Sequence, residues 1–267
     1  MLRKSADLRQ EIVRSLGSST TPLFAVFRRS KDAELKLAGS GSFVFVGGSH
    51  YILTAAHVWE KVLKFAVKVG IVLPDNIKHS YLIDVDAITT TTLKPKSSVW
   101  TEWGPDLALL RIPPERLGGI KAFHVFEYLE SPPRPLPVKS CKCWVVMGSP
   151  GELGTFTKKY AEVPITGRFV DPKPRRRAKY DYFDFNLDST SPGLPKSWGG
   201  LSGGGLWRVL VYCSPETGKI DWLQCLTGVP FWEFPVKRRY RVIRAHGPKG
   251  LKLLVARNGR SKGARIA

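Results

Sequence analysis

The run Gly199-Gly200-Leu201-Ser202-Gly203-Gly204 sets one serine among four glycines. Glycine has no Cβ, so such a segment can turn sharply, take positive φ and bring its own N–H groups close to a reacting carbonyl. A serine presented this way has the surroundings of a nucleophile, and in the expected turn the N–H groups of Gly200 and Ser202 point together as an oxyanion hole. The same composition also suits a flexible surface turn, where Gly and Ser concentrate. What separates the two lies upstream.

From Pro22 onward the chain is a succession of short apolar or alternating runs, from 23–28 through 122–128 and again from 142–147 through 238–244, separated by Gly, Pro, Asp and Asn. That texture predicts an all-β sandwich or barrel. Two stretches depart from it. Ser49-His50-Tyr51-Ile52-Leu53-Thr54-Ala55-Ala56-His57-Val58 is a strand running into a small-residue turn that presents His57, and Gly104-Pro105-Asp106-Leu107-Ala108-Leu109-Leu110 is a turn carrying Asp106 ahead of a buried strand. Residues 4–16 place Leu8, Ile12, Val13 and Leu16 on one stripe, the spacing of a short amphipathic helix ending at Gly17. Ser131-Pro132-Pro133-Arg134-Pro135-Leu136-Pro137 interrupts every pattern and is expected to be a linker. The chain therefore divides into an N-terminal helical extension (1–20), a first β unit (21–130), the linker (131–138), a second β unit (139–245) and a basic C-terminal segment (246–267).

Thr54-Ala55-Ala56-His57, Asp106-Leu107-Ala108-Leu109-Leu110 and Gly200-Leu201-Ser202-Gly203-Gly204 resemble, in that order and at separations of 49 and 96 residues, the three signature blocks of the trypsin-like (chymotrypsin-fold) serine peptidases. Val145-Val146-Met147-Gly148-Ser149-Pro150 is similar to the segment that opens the second barrel in bacterial members without accessory domains, and Leu226-Thr227-Gly228-Val229 to the strand that lines their cleft. The resemblance implies two six-stranded antiparallel barrels packed side by side, with the site in the crevice between them. It implies Ser202 as nucleophile, His57 as general base and acid, and Asp106 as the group that orients His57, forming an acyl-enzyme with no cofactor and no metal. By the same resemblance Lys196 falls near the base of the primary substrate pocket and Phe231, Trp232 and Glu233 at its rim. A pocket lysine would favour an acidic side chain on the N-terminal side of the cut; the alternative is a lysine that points into solvent. The position before the nucleophile is Leu201, where digestive members carry an acid that pairs with a freshly cut N-terminus, so activation by N-terminal cleavage is not expected. Control by a regulatory partner that orders the Gly-rich loop is the alternative.

Charge bounds the partners. Forty-two Lys and Arg against 22 Asp and Glu give +20, and residues 232–267 hold 11 basic residues and one acid. Lys173, Arg175, Arg176, Arg177 and Lys179 form a second cluster, expected in a Pro-containing loop. Such surfaces are solvated basic faces or docking sites for nucleic acid, an acidic protein or an anionic membrane surface. Hence a second class of function: an inactive peptidase-fold binding module that docks through its basic surface. No apolar run approaches the ~20 residues of a membrane span, and the first 16 residues lack the apolar core of a secretory signal. A cytoplasmic protein is expected, with Cys141, Cys143, Cys213 and Cys225 as thiols. His50, His79, His124 and His246 have no partner motif and are expected at the surface, and Asp84 and Asp86 alternate as solvent-facing strand residues.

Overall fold

The computed structural model describes residues 5–29, 32–73, 76–97, 99–130, 140–156, 161–236 and 239–263. The expected linker therefore lies outside the described residues. Helix α1 (Ala6–Gly17) opens the chain; the Ser5 side chain accepts the Leu8 N–H at 3.3 Å, and Leu8, Ile12 and Leu16 are buried. The first sheet comprises β1 (Thr20–Arg29), β2 (Asp32–Val46), β3 (Ser49–Thr54), β4 (Lys68–Leu73), β5 (Asn76–Asp84), β6 (Thr89–Leu93), β7 (Leu107–Arg111) and β8 (Glu127–Tyr128), with α2 (Ala56–Lys61) after β3 and α3 (Pro114–Lys121) after β7. Its order is β5-β4-β1-β2-β3-β7-β6, and the two-residue β8 pairs with β2.

The second half contains β9 (Ser140–Gly148), a small hairpin of β10 (Thr155–Phe156) and β11 (Ala161–Glu162), then β12 (Thr166–Val170), β13 (Lys173–Arg177), β14 (Tyr180–Asp188), β15 (Gly205–Cys213), β16 (Ile220–Glu233) and β17 (Tyr240–His246). Seven of these strands form the second sheet, in the order β12-β9-β15-β16-β17-β14-β13. Apart from the parallel β2–β8 contact, the pairings are antiparallel. Two curled antiparallel sheets with an N-terminal helix are the all-β architecture that the pattern predicts, and they are consistent with a chymotrypsin-like double barrel. The sheets have eight and seven members, the short β8 and the peripheral β13 among them.

The alternation of side chains along a strand explains how the sheets pack. On β7, Ala108 and Leu110 enter the apolar core of the first sheet with Phe43, Ile52 and Ile71, whereas Leu107 and Leu109 point the other way, against Val145, Met147, Trp207 and Val209 of the second sheet. β9 behaves likewise: Val145 and Met147 join this shared core, while Val146 faces Phe185, Leu206 and Ile243 inside the second sheet. A strand buried on both faces must be apolar throughout, and Leu107 to Leu110 are.

The basic C-terminal segment contains an element that its composition concealed. Helix α4 (Pro248–Gly263) buries Leu251, Leu254 and Asn258, one stripe at helical spacing. The two leucines enter the shared core beside Leu107 and Trp207. The Asn258 amide accepts from Thr91 Oγ1 at 2.9 Å and donates to Tyr51 Oη at 3.1 Å, which fastens the helix to the first sheet. On β14, Asp181 Oδ1 accepts the N–H groups of Lys249 and Gly250 at 2.9 and 3.3 Å, which fastens its start to the second. Leu254→Ala removes a fully buried side chain from the shared core. The expected loss is about 2–5 kcal/mol in urea unfolding; a loss below about 0.5 kcal/mol, the scale of surface changes, would mean that α4 is not part of the folded core.

Candidate active site

Strand β3 is buried up to Thr54, and α2 begins two residues later, so His57 stands in its first turn. Its N–H, one of the donors that a helix start leaves without an intrahelical partner, goes to Asp106 Oδ1 at 2.8 Å, and its Nδ1 lies 2.7 Å from Asp106 Oδ2. A carboxylate only accepts, so Nδ1 carries a proton, and in the neutral ring Nε2 is the nitrogen able to accept one. The Asp106 side chain is nearly sealed from water (4% exposed), whereas His57 keeps 25%, which suits a buried orienting group and an accessible base. The Trp100 and His57 rings meet in a T-shaped arrangement, 5.9 Å between centroids.

Asp106 is held from behind by a residue expected at the surface. His246 closes β17 with no exposed surface, and its Nε2 accepts the Asp106 N–H at 3.0 Å. Burial pushes its pKa down to about 3, so the ring is neutral and able to accept. Phe231 stacks on it at 4.2 Å. The loop that presents Asp106 is tied to the second sheet as well: Tyr182 Oη donates to Trp103 O at 2.7 Å and Arg244 Nη1 to Glu102 O at 3.2 Å. Arg244 is itself bidentate to Asp184 at 2.7 and 2.8 Å and lies over the Trp103 ring at 3.6 Å.

The Ser202 loop docks on the turn that carries His57. Gly203 has φ +90°, and a Cβ there would fall 2.0 Å from Thr54 Oγ1 and 2.1 Å from Ser40 O, so the close approach requires glycine. Gly200, at φ +98°, is wedged against Ser149 O, 2.6 Å from where its Cβ would be. Fully buried Ser40 joins the parts: its N–H donates to Ser202 O at 2.8 Å, its Oγ donates to Gly200 O at 2.7 Å and accepts the Ser149 N–H at 2.9 Å, and its carbonyl accepts Thr54 Oγ1 at 2.7 Å. Along the loop the N–H groups of Gly199, Leu201, Gly203 and Gly204 go to Ser197 Oγ, Trp198 O, Pro230 O and Leu201 O. Those of Gly200 and Ser202 have no acceptor among the described residues. Among the described residues the Ser202 hydroxyl makes no hydrogen bond, and the loop that carries it is seated on Ser40 and on Thr54, three residues before His57.

Other expected residues sit differently. Lys196 is exposed, and its contacts are through the main chain, so it is a solvent-facing lysine and not the base of a pocket. Phe231 is buried at 2%, stacked on His246, and forms no open rim; Trp232 is half-buried against the core of the first sheet. Glu233 pairs with Arg241 at 2.9 Å rather than with Lys196. Lys173 to Arg177 form strand β13, not a loop, and all five residues are exposed at the sheet edge. His124 is buried as well, its Nδ1 2.9 Å from Ser18 O. Of the groups that support the site, Ser40 and His246 were not legible: a lone serine or histidine in a strand has no spacing that singles it out.

No protein-family model matches this sequence, and no curated protein is significantly similar to it. A solved structure from work on how aromatic interactions drive the coupled folding and binding of the intrinsically disordered VPg protein of Sesbania mosaic virus aligns over 87% of this chain and 93% of its own, at 15% identity and a TM-score of 0.41. At that level of likeness no chemistry transfers, and the site rests on the geometry of this chain. Among the described residues no helix is long and apolar enough to cross a membrane.

His246 gives the site a pH dependence. Unfolded, its imidazole takes a proton below about 6.5; folded, only near 3. The unfolded state thus binds more protons between those values, and stability present above pH 6.5 is lost as pH falls toward 3. Urea unfolding of wild type and His246→Gln at pH 7, 5 and 4 is expected to show a steeper acid loss for wild type. Parallel curves would mean that His246 is not buried neutral.

Proposed function

We propose that this chain is a serine endopeptidase that acts through an acyl-enzyme. The observation that carries the reading is the His57 Nδ1 to Asp106 Oδ2 contact at 2.7 Å beside a serine loop seated on Thr54 and Ser40. In this reading Ser202 Oγ turns toward His57 Nε2, gives up its proton to it and attacks the scissile carbonyl. Asp106 keeps the ring in the required tautomer and offsets the charge that develops on it. The carbonyl oxygen, now an oxyanion, takes hydrogen bonds from the Gly200 and Ser202 N–H groups, which have no acceptor among the described residues. His57 then returns the proton to the leaving amine, and water repeats the sequence on the acyl-enzyme. The two halves of the machinery come from different sheets: His57 and Asp106 from the first, Ser202 from the entry to β15 in the second.

Leu201 is apolar and buried at 2% among Trp198, Val146 and Leu206, so the residue before Ser202 has no carboxylate of its own to receive a new N-terminal amine. The full-length chain is therefore expected to react with a fluorophosphonate at Ser202 without prior cleavage, as seen by mass spectrometry of the labelled peptide. Ser202→Ala should abolish that labelling together with hydrolysis of unfolded casein, and His57→Ala should lower the labelling rate by roughly 10⁴-fold or more. Ser202→Ala activity within about tenfold of wild type, against losses of that scale, would overturn the reading. Absence of labelling in wild type would favour a binding module that keeps the scaffold without turnover.

A further inference from the structure

The segment entering the Ser202 loop is gripped by two carboxylates. Glu152, in the short 3-10 turn Gly151–Leu153, accepts the Lys196 N–H at Oε2 (2.7 Å) and the Ser197 N–H at Oε1 (3.0 Å). From the other side Glu233 accepts the Trp198 N–H at Oε1 (3.2 Å) and the Ser197 hydroxyl at Oε2 (3.1 Å), and is itself paired with Arg241. Three consecutive backbone donors thus end on charged acceptors, whose hydrogen bonds are the stronger kind. The neighbour of Glu152 in the same turn completes the grip, since the Gly151 N–H donates to Gly199 O at 2.7 Å.

That last bond settles the direction of one peptide unit. A trans peptide is planar, with its C=O and N–H pointing opposite ways. With Gly199 O directed at Gly151, the Gly200 N–H is directed away from it and has no acceptor among the described residues. Between two glycines the peptide could rotate at little steric cost, exchanging its N–H for a carbonyl and abolishing one oxyanion donor. Something outside the peptide must hold it.

We infer that Glu152 is a positioning residue: by fixing 196–197 from the turn that also supplies the Gly151 N–H, it keeps the Gly200 N–H directed at the substrate oxygen. This rests on the serine endopeptidase reading, and it predicts an effect on the chemical step rather than on binding. Glu152→Ala, with both acceptors gone, is expected to lower the fluorophosphonate labelling rate and kcat for a peptide substrate at least tenfold with KM changed less than threefold. Glu152→Gln keeps one acceptor oxygen and should recover a part of the loss, and it carries the test if the alanine variant fails to fold. Amide hydrogen exchange gives a readout independent of activity: in the variant, residues 196–204 should exchange faster while α1 and β7 keep their protection. Wild-type labelling with an equally labelled Glu152→Ala overturns the inference and leaves the serine reading standing. A wild type that does not label removes that reading, and unchanged exchange over 196–204 then overturns the role of Glu152 as well.

Discussion

Ser40 is a residue of β2 whose three polar groups are all committed inside the protein, and the site depends on where they go. Its amide and hydroxyl take the carbonyls of Ser202 and Gly200, its oxygen takes the Ser149 N–H, and its carbonyl takes the Thr54 hydroxyl at the base of the His57 turn. One small side chain thereby ties the first sheet to two segments of the second. Because the residue is fully buried, each of these groups would be left without water if a partner moved, at a cost of about 1–3 kcal/mol per orphaned group. The arrangement holds as a unit, since no member can drift without stranding another.

The shared apolar core keeps this network dry and in register. Leu107 is part of that core, and Asp106 is its immediate predecessor, so the carboxylate stands at the end of a strand that cannot slide without exposing leucines on both faces. A similar logic places Ser202: Leu201 and Leu206 flank it in the core of the second sheet, and the polar loop between them is left to face the His57 turn. Apolar burial thus fixes the strand after Asp106 and the two ends of the Ser202 loop, and hydrogen bonds refine how the loop seats on the first sheet.

The parts legible from the residues alone were those whose chemistry is local. Small residues before His57, an aspartate ahead of an unbroken apolar strand and a serine among glycines each carry their reason within a few positions. The two-sheet architecture followed from period-two alternation. What escaped depends on contacts made across the chain. Helix α4 was hidden because glycines at 250, 259 and 263 and a dense basic composition mask the stripe of Leu251, Leu254 and Asn258. His246 looked like a surface residue for the same reason, since its burial is completed where that helix begins. The run Lys-Pro-Arg-Arg-Arg at 173–177 suggested a loop, yet an edge strand with every side chain in water tolerates both the charge and the proline. Counting back from Ser202 to Lys196 cannot anticipate that its N–H would be held by Glu152 while the residue stays exposed.

The support of Asp106 by His246 spans 140 residues, and the bonds of Asn258 to Thr91 and Tyr51 span 167 and 207. Contacts this distant close last, because the ends of a long loop must meet before the contact rewards them. During synthesis, residues 57 and 106 are therefore in place long before the segment that braces them has been made. A growing chain carries an aspartate whose backbone is unsupported and a first sheet whose outer face lacks its partner. Assembly of the site is thus timed by the emergence of β17 and α4, and a ribosome-bound chain that ends short of them holds the chemical groups of the site without its geometry.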